Sequence, residues 1–265
     1  MPCFPQLISG ALVQYPLVKR RICKTISNTT IEGRVFKLPD PCNSSVEWDL
    51  TFEGLTSEER ARLVAFYEEV EGRLGEFTFL DPTDNLLSWS SDPAKAVWTK
   101  EPHLVLTGGV ADPKGGTEAV RVANPGAQAQ SLLQTLKAPG SYLYCFSVWL
   151  RSVTPSRAIL VRTTGVSETA ESYGADFVWR RVTLSGRSET MAEDVTFGIR
   201  LHAGTAVEIF GMQVEAQPAP SDYRRTAARG GVYSSARLAE DVFTLTSYGP
   251  DEHSCKVRVS ATLAG

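Results

Sequence analysis

Histidine is scarce in this chain, with three in 265 residues, and His103, His202 and His253 stand in unrelated segments. None belongs to a spacing such as HExxH, so a histidine-built metal or general-base centre has no sequence support. A GxSxG elbow, a Walker loop and a GxGxxG run opening a helix are also missing, which removes the common signatures of hydrolase, nucleotide-binding and dinucleotide-binding sites. No apolar run approaches the roughly 18 residues of a membrane-spanning helix, so no membrane insertion is expected. The start, Met1-Pro2-Cys3-Phe4-Pro5, lacks a basic segment leading into an apolar run, so no signal peptide is expected. Lys+Arg 27 against Asp+Glu 30 gives a net charge of -3, without the basic surplus of a nucleic-acid binder. Cysteines are few, odd in number and scattered (Cys3, Cys23, Cys42, Cys145, Cys255). They read as reduced thiols of a protein made in a cytoplasm, a Cys23–Cys42 bridge being the alternative.

What is present is strand-like, with one helix. Val46, Trp48, Leu50 and Phe52 alternate onto one face, the pattern of a strand with one buried side. Leu12 to Leu17 and Ile31 to Leu38 also read as strands, the second closed by Pro39-Asp40-Pro41. Thr56-Ser57-Glu58-Glu59 forms a capping box, and Leu63, Val64, Phe66, Tyr67 and Val70 follow at helical spacing, predicting a helix over 57–71. Gly72 and Gly75 end it, Glu76 to Leu80 form a short strand, and Asp81-Pro82 with Asp84-Asn85 make a turn.

Beyond that seam the texture changes to short strands separated by Gly, Pro and Asn/Asp turns. Eight are expected: 104–107, 119–122, 131–136, 142–151, 158–163, 179–184, 195–201 and 206–214. Such a run without helical pattern predicts a jelly-roll sandwich. Residues 222–231 read as a polar, basic connector, and Val242 to Leu245 with Cys255 to Ser260 as a hairpin-like pair too short to fold alone. The fold expected is mainly β: a discontinuous β-rich domain with one amphipathic helix (1–84, completed by 232–265) plus an inserted jelly-roll β-sandwich (85–229).

Trp89, Trp98, Tyr144, Trp149, Tyr173 and Trp179 are concentrated in the insert, and flat rings of this kind can stack on the C–H face of a pyranose. Core packing is the competing role for each. Trp149 alternates with Ser147 and Arg151 opposite Phe146, Val148 and Leu150. Asp112 and Glu215 are candidate oxygen ligands for a structural calcium, against the ordinary role of solvated surface charges. Glu171 with Asp176 is a non-specific carboxylate pair, no catalytic residue is assigned, and an enzyme is not expected.

Two family resemblances follow from these residues. Trp48-Asp49-Leu50-Thr51-Phe52, the helix containing Leu63-Val64-Ala65-Phe66-Tyr67, and Gly75-Glu76-Phe77-Thr78-Phe79-Leu80-Asp81-Pro82 together resemble the distal tail, or tail hub, proteins of long-tailed bacteriophages and gene transfer agents. The strand those proteins carry after the Asp-Pro turn is missing. The chain instead enters Asn85-Leu86-Leu87-Ser88-Trp89-Ser90, which with Phe146 to Arg151, Trp179-Arg180-Arg181-Val182 and Gly211-Met212-Gln213-Val214-Glu215 resembles a carbohydrate-binding-module-like jelly roll. The resemblances imply a structural virion protein of the tail tip, made in the host cytoplasm. It would form a homo-oligomeric ring, trimer or hexamer, contact tail tube, hub and other tail-tip proteins, and offer its sandwich to host-surface polysaccharide. A purely architectural tail protein and a glycan-processing enzyme or binding module are the alternatives.

Overall fold

The computed structural model describes residues 1–263, and for residues 41–43 the backbone alone. In chain order the described residues form β1 (Val18–Thr29), β2 (Val35–Leu55), α1 (Ser57–Glu69) and β3 (Phe77–Leu80). There follow β4 (Thr99–Lys100), β5 (Val105–Val110), β6 (Ala119–Ala123), β7 (Gln130–Leu136), β8 (Tyr144–Arg151), β9 (Ser156–Thr163) and β10 (Glu168–Ala175). The chain ends through β11 (Arg180–Gly186), β12 (Val195–Leu201), β13 (Ala206–Glu215), β14 (Val232–Leu238), β15 (Leu245–Gly249) and β16 (Glu252–Thr262). Two compact units result. The first comprises Met1–Ile8, Leu12–Phe79 and the chain from Tyr233 onward; the second comprises Ser9–Ala11 and Leu80–Val232.

The first unit is a sheet in the order β1-β2-β16-β14-β3, with β15 also paired to β16. β16 is antiparallel to β2 from His253↔Leu55 to Thr262↔Ser45, so the end of the chain lies inside the sheet rather than at its rim. Val46, Trp48, Leu50 and Phe52 are all buried, as their alternation requires. They meet an aromatic cluster in which Phe4 lies 5.4 Å from Phe66 and 5.5 Å from Phe79, and Trp48 lies 4.8 Å from Phe79. The helix supplies Leu63, Phe66 and Val70 to this core. Its start carries the capping box: the Thr56 hydroxyl accepts from the Glu59 amide, and the Glu59 carboxylate accepts from the Thr56 amide. It stops at Glu69, two residues before the expected end, because Glu71 (φ 52°) and Gly72 (φ 62°) turn left-handed.

Several expectations for the first unit need correction. Leu12 to Leu17 form no strand: Leu12 and Val13 are buried from a loop. The Ile31 strand starts at Val35, since 31–33 form the tip of a hairpin whose other arm, β1, has no buried face to betray it. Pro39-Asp40-Pro41 does not close β2, which runs through it: Pro39 stays in register with Thr25 on the edge strand β1, and the register slips beyond Asp40, between Ile22 and Lys24 on β1, where Pro41 falls. The first strand of the C-terminal pair is shifted from Val242–Leu245 to Leu245–Gly249, the second extends over Glu252–Thr262, and β14, which precedes the pair, joins the same sheet. Of the Cys23–Cys42 pairing, the Cys42 side chain lies outside the described residues; Cys23 is exposed.

The second unit is a β-sandwich of two five-stranded antiparallel sheets, β10-β9-β12-β7-β4 and β11-β8-β13-β6-β5. Tyr144 and Phe146 of one sheet meet Phe197 of the other at 5.4 and 6.0 Å. The eight expected strands are present with shifted ends, and two more appear. β4 is two residues long, and β10 (Glu-Thr-Ala-Glu-Ser-Tyr-Gly-Ala) is an edge strand exposed along most of its length, so neither carries an apolar period. The expected connector, residues 222–231, is tied to the sandwich at Arg224. The buried Asn85 amide donates to the Met212 and Arg224 carbonyls while its oxygen accepts from Leu87 and Val214.

Two outcomes follow. Asn85→Ala would strand these buried backbone groups and lower unfolding stability by about 2–3 kcal/mol, seen as a shifted denaturation midpoint at unchanged slope. Burial pushes the Cys145 and Cys255 thiols up to about 11, while Cys23 is exposed. In native protein at neutral pH a thiol reagent should therefore label Cys23 first and reach Cys145 and Cys255 only through unfolding. Cys255 reports the first unit and Cys145 the second, so separate labelling midpoints in denaturant would show that the units unfold independently.

Candidate functional site

Along β8, Tyr144, Phe146, Val148 and Leu150 point into the sandwich, so Ser147, Trp149 and Arg151 point outward. Cross-strand register puts Arg181 and Phe210 beside Trp149, and Glu208 beside Arg151. Trp179, just before β11, completes the group: the Arg151 guanidinium sits 4.7 Å from its ring centroid. Arg151 Nε donates to Glu208 Oε2 at 2.6 Å and Nη2 to the Ala111 carbonyl at 3.3 Å. Glu208 is 7% exposed, so the ion pair with Arg151 is held rigidly at the edge of an aromatic surface. The indole N–H groups of Trp149 and Trp179 are buried and have no hydrogen-bond partner, so these residues offer ring area rather than donors. Phe177 and Val178, which precede Trp179 in the chain, are 67% and 62% exposed.

The other half of this face is closed by the chain after β13. Arg181 donates to the Ser221 carbonyl (2.5 Å) and to Ser147 Oγ (2.9 Å). Buried Gln213 bonds Glu215 and accepts from the Arg224 amide, and Tyr223 packs edge-on to Phe210 at 5.2 Å. Access to the face is therefore confined to the Trp149–Trp179–Arg151–Glu208 end.

The sequence-predicted residues divide accordingly. Trp149 and Trp179 are half-buried and brought together. Trp89 is half-buried elsewhere, at φ 49° with Lys95 Nζ 4.7 Å from its ring. Trp98 is buried, its indole donating to the Trp89 carbonyl at 3.1 Å, and Tyr144 is fully buried with its hydroxyl on the Pro139 carbonyl. Neither presents a face to a ligand. Tyr173 donates to the Thr183 carbonyl at 2.5 Å, and burial pushes its hydroxyl up to about 12, so it joins the edges of the two sheets. Arg151, Glu208 and Phe177 escaped the sequence reading as site residues, although the alternation of Trp149 with Arg151 already put those two on one face.

Asp112 and Glu215 do not fit a calcium site. The Asp112 carboxylate accepts from the Lys114, Gly116 and Glu118 amides, and despite desolvation these bonds hold it below the usual carboxylate range. Glu215 accepts from Ser221, Gln213 and Gln217 and lies 3.4 Å from Arg224. Oxygens surrounded by N–H donors are turned away from a cation, and no cluster of three His, Cys, Asp or Glu suits a metal among the described residues.

No family model and no curated protein matches the chain. Among solved structures it is similar to a xylan-binding domain of carbohydrate-binding-module family 22 from Paenibacillus barcinonensis, with 11% identity over 52% of this chain and 99% of that one, at TM-score 0.41. A second is TmCBM61 in complex with β-1,4-galactotriose (13% identity, 49% and 97% covered, TM-score 0.38). A third is the enzymatically active domain of bacteriophage CBA120 tailspike protein 4 (16% identity, 52% and 22% covered, TM-score 0.38).

Because both carboxylates are occupied by the chain's own donors, excess calcium or EDTA should leave the thermal midpoint of the sandwich unchanged. A calcium-dependent rise of several degrees would show that the Asp112 or Glu215 segment rearranges to bind it.

Proposed function

We propose that this chain is a structural component of a phage-type tail tip, in which the first unit is the assembly platform and the sandwich is an adhesion module for host-surface polysaccharide. The observation that carries the adhesive half is the Trp179–Arg151–Glu208 arrangement. A planar apolar surface lies beside a rigid donor and acceptor, and a vicinal diol can accept from the guanidinium while donating to the carboxylate. The ion pair is locally neutral, which suits a neutral sugar. This reading contains no catalytic step: it needs retention, not turnover. The assembly half is supported by the resemblance of residues 48–82 to tail hub proteins and by the outward surfaces of the first unit.

The architectural alternative has an observation of its own, because Arg151 already covers one face of Trp179. A binding measurement separates the two. Affinity electrophoresis through gels containing xylan or β-1,4-galactan, with host-cell polysaccharide as a third probe, should retard the protein. Trp179→Ala should weaken that retention about ten-fold, the equivalent of roughly 1.4 kcal/mol, without lowering the unfolding midpoint, whereas Arg151→Ala, which leaves the buried Glu208 carboxylate unpaired, should weaken retention and lower the midpoint as well. Equal mobility of wild type and both variants in every gel would leave the architectural reading standing.

A further inference from the structure

Two residues other than glycine have a positive φ among the described residues: Glu71 at 52°, just past the end of α1, and Trp89 at 49°. A left-handed residue is ordinary at a helix end, but a bulky side chain in a turn at such a φ is an outlier that glycine or asparagine would avoid. The residues on either side are anchored: the Ser88 amide donates to Gln134 Oε1 at 2.8 Å and the Ser90 amide to Thr226 Oγ1 at 3.3 Å. Trp89 itself is held through its backbone. Its N–H donates to the Ala227 carbonyl at 2.7 Å, and its carbonyl accepts from the Asp92 amide at 3.0 Å and from the Trp98 indole at 3.1 Å. All three bonds would survive replacement of the Trp89 side chain by hydrogen, so the turn requires the conformation and not the indole. Strain kept where the fold does not need the side chain is a feature of ligand-contacting positions.

The indole also differs from the other four. The N–H groups of Trp48, Trp149 and Trp179 are buried without a partner, and that of Trp98 is bonded to the Trp89 carbonyl. The Trp89 N–H has no partner and is reachable by solvent, so this ring offers a donor along with its face. Over that face lies Lys95, its Nζ 4.7 Å from the ring centroid and 3.6 Å from Asp92 Oδ2. The two side chains of this ion pair are 47% and 44% exposed. Arg151 is pinned over Trp179 by the buried Glu208, whereas Lys95 is tethered over Trp89 by an exposed carboxylate, and such a pair holds a flexible side chain weakly. A ligand can therefore displace the lysine from the ring and find its ammonium and the Asp92 carboxylate at the rim.

We infer that Trp89, Lys95 and Asp92 form a second saccharide-binding site on the sandwich, in which Lys95 is a displaceable cover and a pyranose takes its place on the indole. The inference rests on the reading of the sandwich as a module for polysaccharide and adds a second point of attachment to each chain. The chemistry matches a neutral sugar. The ring takes a C–H face, the indole N–H donates to one hydroxyl, and the ion pair, neutral as a whole, serves the neighbouring hydroxyls as donor and acceptor. None of the residues bonded to Trp89 belongs to the Trp179–Arg151–Glu208 arrangement, so the two sites can be removed one at a time.

The test is affinity electrophoresis of the full chain in gels of xylan, β-1,4-galactan and host-cell polysaccharide, read beside thermal unfolding. Trp89→Gly and Trp89→Ala both remove the ring, but glycine alone relieves the positive φ, so Trp89→Gly should unfold at the higher midpoint of the two. Both should lose retention to the same extent, about five-fold, and Trp89→Phe, which restores an aromatic face, should regain most of it. Retention that follows the midpoint instead, with Trp89→Gly held like wild type and Trp89→Ala not, would assign the indole a structural role and overturn the inference. Trp179→Ala tells the two sites apart: it should keep a residual retention that adding Trp89→Gly abolishes. Retention weakened by Trp179→Ala but untouched by Trp89→Gly ends the inference and leaves the adhesion reading standing. The reverse result moves adhesion to Trp89 and removes the Trp179 site, and a wild type that no gel retards removes both.

Discussion

The first unit depends on one pairing between strands far apart in the chain. β2 has a buried face from Val46 to Phe52, and its hydrogen-bonding edge there is met by β16, residues 252–262, which follows the whole sandwich in the sequence. Joining strands so distant in sequence would cost considerable loop-closure entropy in a flexible chain. The sandwich removes most of that cost. Its own entry and exit are tied together, Asp81 N–H donating to the Gly231 carbonyl at 2.7 Å and Gly231 N–H to the Asn85 carbonyl at 2.8 Å. Once folded, some 150 residues act as a short connection between β3 and β14. The Asn85 bonds that hold residues 212–226 act at the same place, where the chain enters and leaves the second unit.

What could be read from the sequence was whatever buries one side. The alternation from Val46 to Phe52, the Thr56/Glu59 capping box and the inward residues of β8 all follow from periodicity imposed by a core. What could not be read was whatever has two wet sides. β1 (Val-Lys-Arg-Arg-Ile-Cys-Lys-Thr-Ile-Ser-Asn-Thr) and β10 carry no period because no core selects one, and β2 passes two prolines that ordinarily end a strand. The site shows the same division. Trp149 and Arg151 were legible as outward neighbours along one strand. Glu208 was not, because cross-strand register is a tertiary fact, and nothing in the residue type tells that Trp98 and Tyr144 turn inward while Trp179 stays at the surface.

Bare apolar ribbons invite indiscriminate pairing, and the β1–β2 ribbon, with Ile22 and Ile26 exposed, carries the usual restraint. Lys19, Arg20, Arg21 and Lys24 crowd the strand that would be approached edge-on, so an arbitrary strand or another ribbon meets like charge before it meets Ile22 or Ile26. Arg20 is held by Asp49, which Arg258 of β16 also bonds at 2.6 Å, so the base of the ribbon is anchored to the central strand while its tip stays free. Charge here works against wrong partners more than for the right one.

The same reasoning connects the two proposed activities. The Trp179–Arg151–Glu208 surface is small and half covered by its own guanidinium, so one copy would hold a neutral sugar weakly. A platform that repeats the chain changes the arithmetic, because after one sandwich has bound, the others search only the volume their attachment allows. The effective concentration, not the single site, then sets retention. A weak site becomes an advantage in such an arrangement, since each contact can release and rebind while the assembly stays on the surface. That division of labour accounts for a sandwich that is rigidly tied at Asn85 yet modest in its exposed chemistry.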